Sequence, residues 1–423
     1  MPWLRFIHAA DLHLDAPFQG LSQMSSELGQ RLRQATFQAL DNLIQLCVQQ
    51  QADFLLISGD VYNQEDRSLR AQLRFREALA SLSQQGISVY LVHGNHDPVG
   101  STAQALTWPE NVHVFSSWEA ETQAFIRDGS TQALIHGASH TRSQETRNLA
   151  RNFKRAPQNV FQIGLLHCNL ERNTGHAPYA PCSLQDLAKA DLDYWALGHV
   201  HSGGIFAKHP YVAYPGNIQG LNILEQGPRG CYVLDVHSDF QLQTEFHPLD
   251  VLRWAEIRVD IQNRPSLDRL EEAIFQDIQA QQGQAGDRGL LCRIVLSGRG
   301  NLHSILRREE GQEELLQRLR EYYQEHEPLV WIKDLRLETS PELDLESRRR
   351  QGDFLAEVLD QAQELLNRKD CRDHLHQEVL AELYQHRRAK RLLQHLSQEE
   401  AQELLRQAEI LCADLLQPDA DKE

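Results

Sequence analysis

The sequence predicts a mixed α/β fold: a two-sheet α/β domain over residues 1–250, a small α/β module over 251–340 and a helical region over 341–423. Three observations carry that prediction. Apolar strand-like runs alternate with amphipathic helical stretches as far as about residue 100. Strands then dominate to residue 250, and beyond Pro341 the chain becomes Gln/Glu/Leu-rich and helical. Alternating strand–helix units followed by a strand-rich half are the pattern of sheets covered by helices.

Each element follows from its residues. Arg5–Ala10 is a short, largely apolar strand ending at Asp11. Over Ser25–Gln51, Leu28, Leu32, Ala35, Ala39, Leu43 and Leu46 recur at helical spacing on one face. Asp53–Ser58 is a buried strand ending at Gly59-Asp60, Ser68–Gln84 a second helix, and Ile87–Val92 a strand ending at Gly94-Asn95-His96-Asp97. Strands are then expected at Val112–Phe115, Gln123–Ile126, Ala133–Gly137, Val160–His167, Asp193–Leu197, Tyr211–Tyr214, Cys231–Val236 and Leu242–Phe246. After Pro248 come a strand (Trp254–Ile261), a helix (Ser266–Gln281), a loop (Gly283–Gly289), a strand (Leu290–Ser297), a helix (Leu302–Glu325) and a strand (Val330–Leu337). In the tail, Phe354, Leu355, Val358, Leu359, Ala362, Leu365 and Leu366 form one apolar helix face. A second runs from Ala401 to Leu415 behind a capping box at Ser397-x-x-Glu400. Either these helices pack on the body, or one face docks on a partner.

Charge excludes one function class. The 423 residues carry a formal net charge of -17, and none of the three segments is basic, so no global basic surface coats nucleic acid. No run approaches the roughly 18 apolar residues of a membrane helix. The start, Met-Pro-Trp-Leu-Arg-Phe-Ile, lacks the n-region and h-region of a secretory signal. Seven scattered cysteines with no C-x-x-C pair fit reduced thiols, and a cytoplasmic location is expected. The histidines are uneven: most of the 20 lie before residue 250, which points to metal binding or acid–base chemistry.

Five motifs sit just past strands, where open α/β sheets gather ligands: Asp11-Leu-His13, Gly59-Asp60, Gly94-Asn95-His96-Asp97, Leu166-His167 and Gly198-His199-Val-His201. Singly each is a common structural feature, but five in this order are not. A two-metal hydrolase needs a bridging carboxylate, with oxygen and imidazole donors completing each sphere and leaving room for water. Imidazole, carboxylate and amide oxygen without thiolate suit Mn, Fe or Zn better than Ca or Mg. Glycines before Asp60, Asn95 and His199 permit tight strand-to-loop turns.

Over about residues 4–220 this set resembles the calcineurin-like metallophosphoesterase superfamily, whose motifs run D-x-H, G-D, G-N-H-(D/E), H and G-H-x-H. The resemblance implies a two-sheet αββα metallophosphoesterase domain with a small α/β cap module and a helical C-terminal tail. It implies one metal bound by Asp11, His13, Asp60 and His201, and a second bound by Asp60, Asn95, His167 and His199, with Asp60 bridging. His96 would protonate the leaving oxygen or stabilise charge at phosphorus, with Asp97 orienting it.

The run from Phe6 to Asp15, the Gly-Asp-Val-Tyr stretch at 59–62 and Leu296-Ser-Gly-Arg-Gly-Asn-Leu-His303 are similar to SbcD-type DNA-repair exonucleases, in the YhaO-like branch. That likeness implies a Mn-dependent exonuclease or endonuclease acting on DNA. It also implies a homodimer and an SMC-like coiled-coil ATPase partner (SbcC/YhaN-like) docked by the tail. Two positions depart from the pattern. Asn63 stands where several relatives carry His or Asp, and Asp15 where the branch often has Gly.

Other candidates have plainer readings. His8 is expected to be a hydrogen-bonded strand residue, and Cys168 buried filler. His93, His136 and His140 flank the motifs. Arg142, Arg147, Arg151, Lys154 and Arg155 face only Glu145 within Thr141–Arg155. This strip is either a solvated helix face or a contact for the phosphate backbone of DNA. Two other function classes compete with the nuclease: a small-molecule metallophosphoesterase and a non-catalytic scaffold. The intact ligand set disfavours the scaffold, and the residues beyond the motif-bearing core favour the nuclease.

Overall fold

A computed structural model of the chain describes residues 3–18, 26–63, 68–100, 107–171, 179–342, 345–367 and 398–416. It divides into two units, one of Met1–Arg258, Glu272–Val295 and Glu313–Arg336, the other of Val259–Glu271, Leu296–Gln312 and Leu337–Glu423.

In the first unit the apolar runs become strands, the central ones buried. β1 (Leu4–Ala9), β2 (Phe54–Ser58), β3 (Ser88–Val92) and β4 (Val112–Val114) lie parallel, and β11 (Gly230–Val236) and β12 (Leu242–Pro248) extend the sheet antiparallel beyond β1. The crossovers are α1 (Ser26–Gln49) and α2 (Leu69–Ser83), the latter capped by Ser68, whose Oγ accepts from Ala71 N. The second sheet has the order β5 (Glu121–Arg127), β6 (Ser130–Ala138), β7 (Phe161–His167), β8 (Tyr194–Gly198), β10 (Tyr211–Tyr214) and β9 (Gly204–Lys208). Its four central strands, β6, β7, β8 and β10, are parallel.

The two sheets bury their facing sides against each other. Phe6 stacks on Phe54 at 5.1 Å and meets Tyr194 edge-on at 5.5 Å, within a cluster that also holds Phe161, Tyr90 and Leu165. The outer side of the first sheet packs Ile7, Leu55 and Leu91 against Leu40, Leu43, Phe75 and Leu79 of α1 and α2. The outer side of the second packs Trp195 and Leu197 against Leu149, Phe153 and Leu187, the last from α3 (Leu184–Lys189). Helix, sheet, sheet and helix thus form successive layers, with the central strands buried on both faces and the edge strands β4, β5, β9 and β12 partly exposed.

Beyond residue 250, β13 (Leu252–Asp260), β14 (Gly289–Arg299) and β15 (Val330–Ser340) form a three-stranded sheet in that order, with α4 (Leu267–Ala285) between the first two. The single helix expected over Leu302–Glu325 is two, α5 (His303–Leu306) and α6 (Glu309–Tyr322). Gly311 lies where the Ile305 carbonyl comes too close for a Cβ, which would sit 2.4 Å away. The tail contains α7 (Leu345–Arg349), α8 (Phe354–Asn367) and α9 (Gln398–Leu416). Leu355 and Leu359 of α8 pack with Ala413 of α9, and Arg349 bonds Glu409 and Gln363. Ser397 of the expected capping box lies outside the described residues. Among those residues no helix is long and apolar enough to cross a membrane.

Candidate metal centre

The ends of β1, β2, β7 and β8 converge, and the loops behind them interlock through the main chain. Asp11 N donates to Gly59 O and His13 N to Asp60 O, each at 3.1 Å. Asp11, His13 and Asp60 all take φ between 42° and 51°, and His199 takes φ 106°. Left-handed backbone at four non-glycine residues costs of order 1–3 kcal/mol each and clusters where function demands a side-chain direction. Two glycines admit the close approach. A Cβ on Gly94 would sit 2.1 Å from Asp60 Oδ1, and one on Gly198 would sit 1.9 Å from Ser58 O.

The imidazoles share one arrangement. His13 Nδ1 donates to Asn63 Oδ1 at 2.6 Å, His201 Nδ1 to Glu225 Oε1 at 2.7 Å, and His167 Nδ1 to Ser58 O at 2.8 Å. With Nδ1 donating outward, each ring directs its Nε2 inward, where the neutral form offers a lone pair to a cation. His13 Nε2 and His201 Nε2 then face each other at 3.1 Å. His167 Nε2 faces Asn95 Oδ1 at 3.0 Å and Asp60 Oδ2 at 3.3 Å. Nitrogen and oxygen acceptors opposed at these distances need a positive charge between them, a proton or a cation, and the donor set fits divalent cations.

The carboxylates complete the set. Donor atoms of Asp11, His13 and His201 lie within 4.8 Å of one another, as do those of Asp11, Asp60 and His167, so Asp11 belongs to both groups. Both Asp11 oxygens accept from His199 N at 3.1 Å. The His199 ring packs edge-on against His167, its centroid 5.2 Å away, and is in neither group.

The protonation equilibria report a crowded buried site. Burial raises the Asp11 carboxyl to about 6, even against the charges of His167 and His201. Burial acts the same way on Asp60, but the charge and hydrogen bond of His167 outweigh it and hold Asp60 well below the usual carboxylate range. Burial opposes charge on His167 too, yet Asp60 and Asp11 push that imidazole up to about 10. His13 falls to about 4 through burial and the charge of His201.

His96 is the exposed member of the set. Its main-chain N–H donates to Asp60 Oδ1 at 2.9 Å, and its ring centroid lies 5.5 Å from that of His13. Asp97 is not the orienting partner expected for it. The Asp97 carboxylate is fully buried and accepts from Val61 N at 2.9 Å and Gly94 N at 2.8 Å, with His93 Nδ1 3.9 Å away. Two main-chain N–H groups in tight turns otherwise lack acceptors, and Asp97 supplies them.

Asn63 faces His13. Asp15 takes φ 64°, a conformation that suits Gly and that Asp tolerates, and accepts from Ser68 Oγ. His8 bridges Tyr194 OH and Ser58 Oγ, each at 2.8 Å, tying the two sheets beneath the site. His136 bonds Thr122 and Gln162, and His140 Nε2 donates to the His167 carbonyl at 2.7 Å. Cys168 is buried.

The basic strip is largely committed to the fold. Arg147 pairs with Glu145 and lies over Trp118, Arg151 pairs with Asp186, and Arg155 pairs with Asp193 and the Asp191 carbonyl. Only Arg142 and Lys154 remain exposed without an ion pair among the described residues.

Glu225 escaped the sequence reading. It lies 24 positions from His201, in a segment with no metal-ligand motif, so no spacing rule marks it. Only the fold reveals the pairing.

Comparison with known proteins adds independent findings. Residues 4–203 match the family described as calcineurin-like phosphoesterase, and residues 254–340 match the middle domain of metallophosphoesterase YhaO. The chain is 35% identical over 411 residues to the uncharacterized metallophosphoesterase YhaO of Bacillus subtilis, covering 96% of this chain and 97% of that protein. It is 22% identical to the DNA double-strand break repair protein Mre11 of Sulfurisphaera tokodaii, covering 72% of this chain and 76% of that one. With the SbcD component of the nuclease SbcCD of Escherichia coli it is 24% identical, over 57% and 67% of the two chains.

Proposed function

Because the chain belongs to the calcineurin-like metallophosphoesterase family and is thus a hydrolase, we propose that it cleaves phosphodiester bonds of DNA, as an exonuclease or endonuclease in DNA repair. The observation that carries the metal-dependent chemistry is the facing pair of Nε2 atoms on His13 and His201. Asp11, His13, Asp60 and His201 would hold one cation, and Asp60, Asn95, His167 and His199 the other. Two divalent ions, for which we propose Mn, would supply positive charge at the phosphoryl oxygens and lower the pKa of the attacking water. His96, exposed beside the cluster, would give a proton to the leaving oxygen. The choice of DNA as substrate rests on the Mre11 and SbcCD relatives.

We assign residues 1–250 to the nuclease, 251–340 to the cap and 341–423 to partner docking. In this reading the protein works as a cytoplasmic homodimer with an SMC-like coiled-coil ATPase, and Arg142 and Lys154 help to place the DNA. Exposed Leu411 and Leu415 on α9 support docking by the tail. The test is twofold. Mn-loaded protein should release nucleotides from linear duplex DNA, and His96→Ala should do so about 10²–10⁴-fold more slowly. Full-length protein should co-purify with the candidate ATPase, and the Leu411→Glu/Leu415→Glu variant should lose it. Equal recovery by both proteins would sink the docking role.

A further inference from the structure

Three imidazoles turn Nε2 inward, and their outer partners differ in kind. His13 leans on a side-chain amide and His167 on a main-chain carbonyl, but His201 leans on a carboxylate. Glu225 is 8% exposed, whereas its neighbour Leu224 is 88% exposed, so the acid is folded inward from a surface loop. Its second oxygen is held by Leu221 N at 2.6 Å and Asn217 Nδ2 at 2.9 Å. Three donors fix both oxygens and leave the carboxylate little freedom to leave His201.

The segment carrying Glu225 is itself clamped. Gln219 Oε1 accepts from Val251 N at 3.0 Å and Leu252 N at 3.2 Å, and Gln219 Nε2 donates to Leu252 O at 2.6 Å. Trp254 Nε1 donates to Gly220 O, and Gly227 N donates to Trp254 O, both at 3.2 Å. Arg229 closes the loop by donating to the His201 carbonyl at 2.5 Å and to Gln226 O at 2.9 Å. Residues 217–229 therefore span from the His201 backbone and ring to the first residues of β13.

We infer that Glu225 is a positioning residue that sets how tightly the Asp11–His13–Asp60–His201 subsite binds its cation, and that the 217–229 loop holds it against β13. The inference rests on the two-cation reading above. An anionic acceptor at Nδ1 fixes the tautomer, holds the ring plane and increases electron density at Nε2, so the ring becomes a stronger ligand. It also adds a third negative charge beside Asp11 and Asp60, which favours a divalent ion there. Loss of such an outer partner costs about 10–100-fold in metal affinity. In the other subsite His167 leans on the neutral Ser58 carbonyl instead.

The test uses the full chain, stripped with a chelator and titrated with Mn(II) alone. Calorimetry supplies stoichiometry and affinities, and low-temperature electron paramagnetic resonance distinguishes isolated from paired ions. Wild type should take up two ions per chain and show a spin-coupled pair. Glu225→Gln should bind one ion with wild-type affinity and the other about 10–100-fold more weakly, so the signal of isolated Mn persists at two equivalents. Glu225→Asp keeps the charge but draws it back by one methylene from His201, and should weaken the same ion. This second variant carries the test if thermal melting shows that the Gln variant does not fold. Unchanged affinity for both ions in a folded variant overturns the inference, and so does equal weakening of both. Wild type that binds fewer than two ions would instead contradict the two-cation reading itself.

Discussion

The main-chain N–H of His96 donates to Asp60 Oδ1 at 2.9 Å, while the His96 ring is exposed. Backbone and side chain of one residue thus serve different ends. His96→Ala keeps the bond that orients Asp60 and removes only the imidazole. That variant should bind two Mn ions as wild type does and lose about 10²–10⁴-fold in kcat on bis(p-nitrophenyl) phosphate. Asp60→Ala should lose metal and activity together. A His96→Ala enzyme with unchanged kcat would remove the residue from the chemistry.

Asp97 offers a contrasting case, because its carboxylate serves Val61 N and Gly94 N. Asp97→Asn sets an NH₂ against one of those donors, a buried conflict costing roughly 1–3 kcal/mol. Urea unfolding should show that loss. A stability equal to wild type with a lowered kcat would return Asp97 to the role of orienting His96.

Gly198 has no room for a side chain, since its Cβ would lie 1.9 Å from Ser58 O. Gly198→Ala should force β8 away from β2 and destabilise the chain by about 3 kcal/mol or more. It should also disturb His167, which bonds the same carbonyl. A melting temperature within experimental error of wild type would contradict the close packing of β2 and β8.

The basic strip separates into structural and exposed members. Asp186 caps α3 and receives Arg151. Burial acts to raise its carboxyl, but hydrogen bonds from Ser183, Asn148 and Arg151 outweigh it and bring the group from 3.8 to about 2. The folded value is depressed, so this stability is present above the usual carboxylate value and is lost as pH falls through about 2. Asp186→Ala should therefore cost about 1–2 kcal/mol at neutral pH, with the difference from wild type shrinking below pH 4. By contrast, Arg142→Ala/Lys154→Ala should leave stability unchanged and weaken retention on duplex DNA, with a shallower salt dependence. Unaltered retention would take the strip out of DNA contact.

Much of this molecule was legible in the chain because its chemistry is local. Asp11, Asp60, His167 and His199 each stand at or just past the end of an apolar run, and the structure puts them at the ends of β1, β2, β7 and β8. What escaped depends on distant partners. Arg151 and Arg155 read as free charge because Asp186 and Asp193 lie 35 and 38 residues further on. β9 was missed because it is an edge strand whose Ile205 and Phe206 are exposed, with no alternation to mark a buried face. Asp97 looked like a partner for His96 because the two are adjacent in sequence, yet the tight turn directs its carboxylate to main-chain donors.

We propose that this candidate metal cluster hydrolyses DNA. The most direct measurement is a side-by-side panel with Mn: linear duplex, hairpin and single-stranded DNA, a cyclic nucleotide and a phosphopeptide, each also offered to His96→Ala. On this proposal wild type should release nucleotides from linear or hairpin DNA, and the variant should do so about 10²–10⁴-fold more slowly. Hydrolysis of the cyclic nucleotide or phosphopeptide with both DNA forms left intact would contradict it.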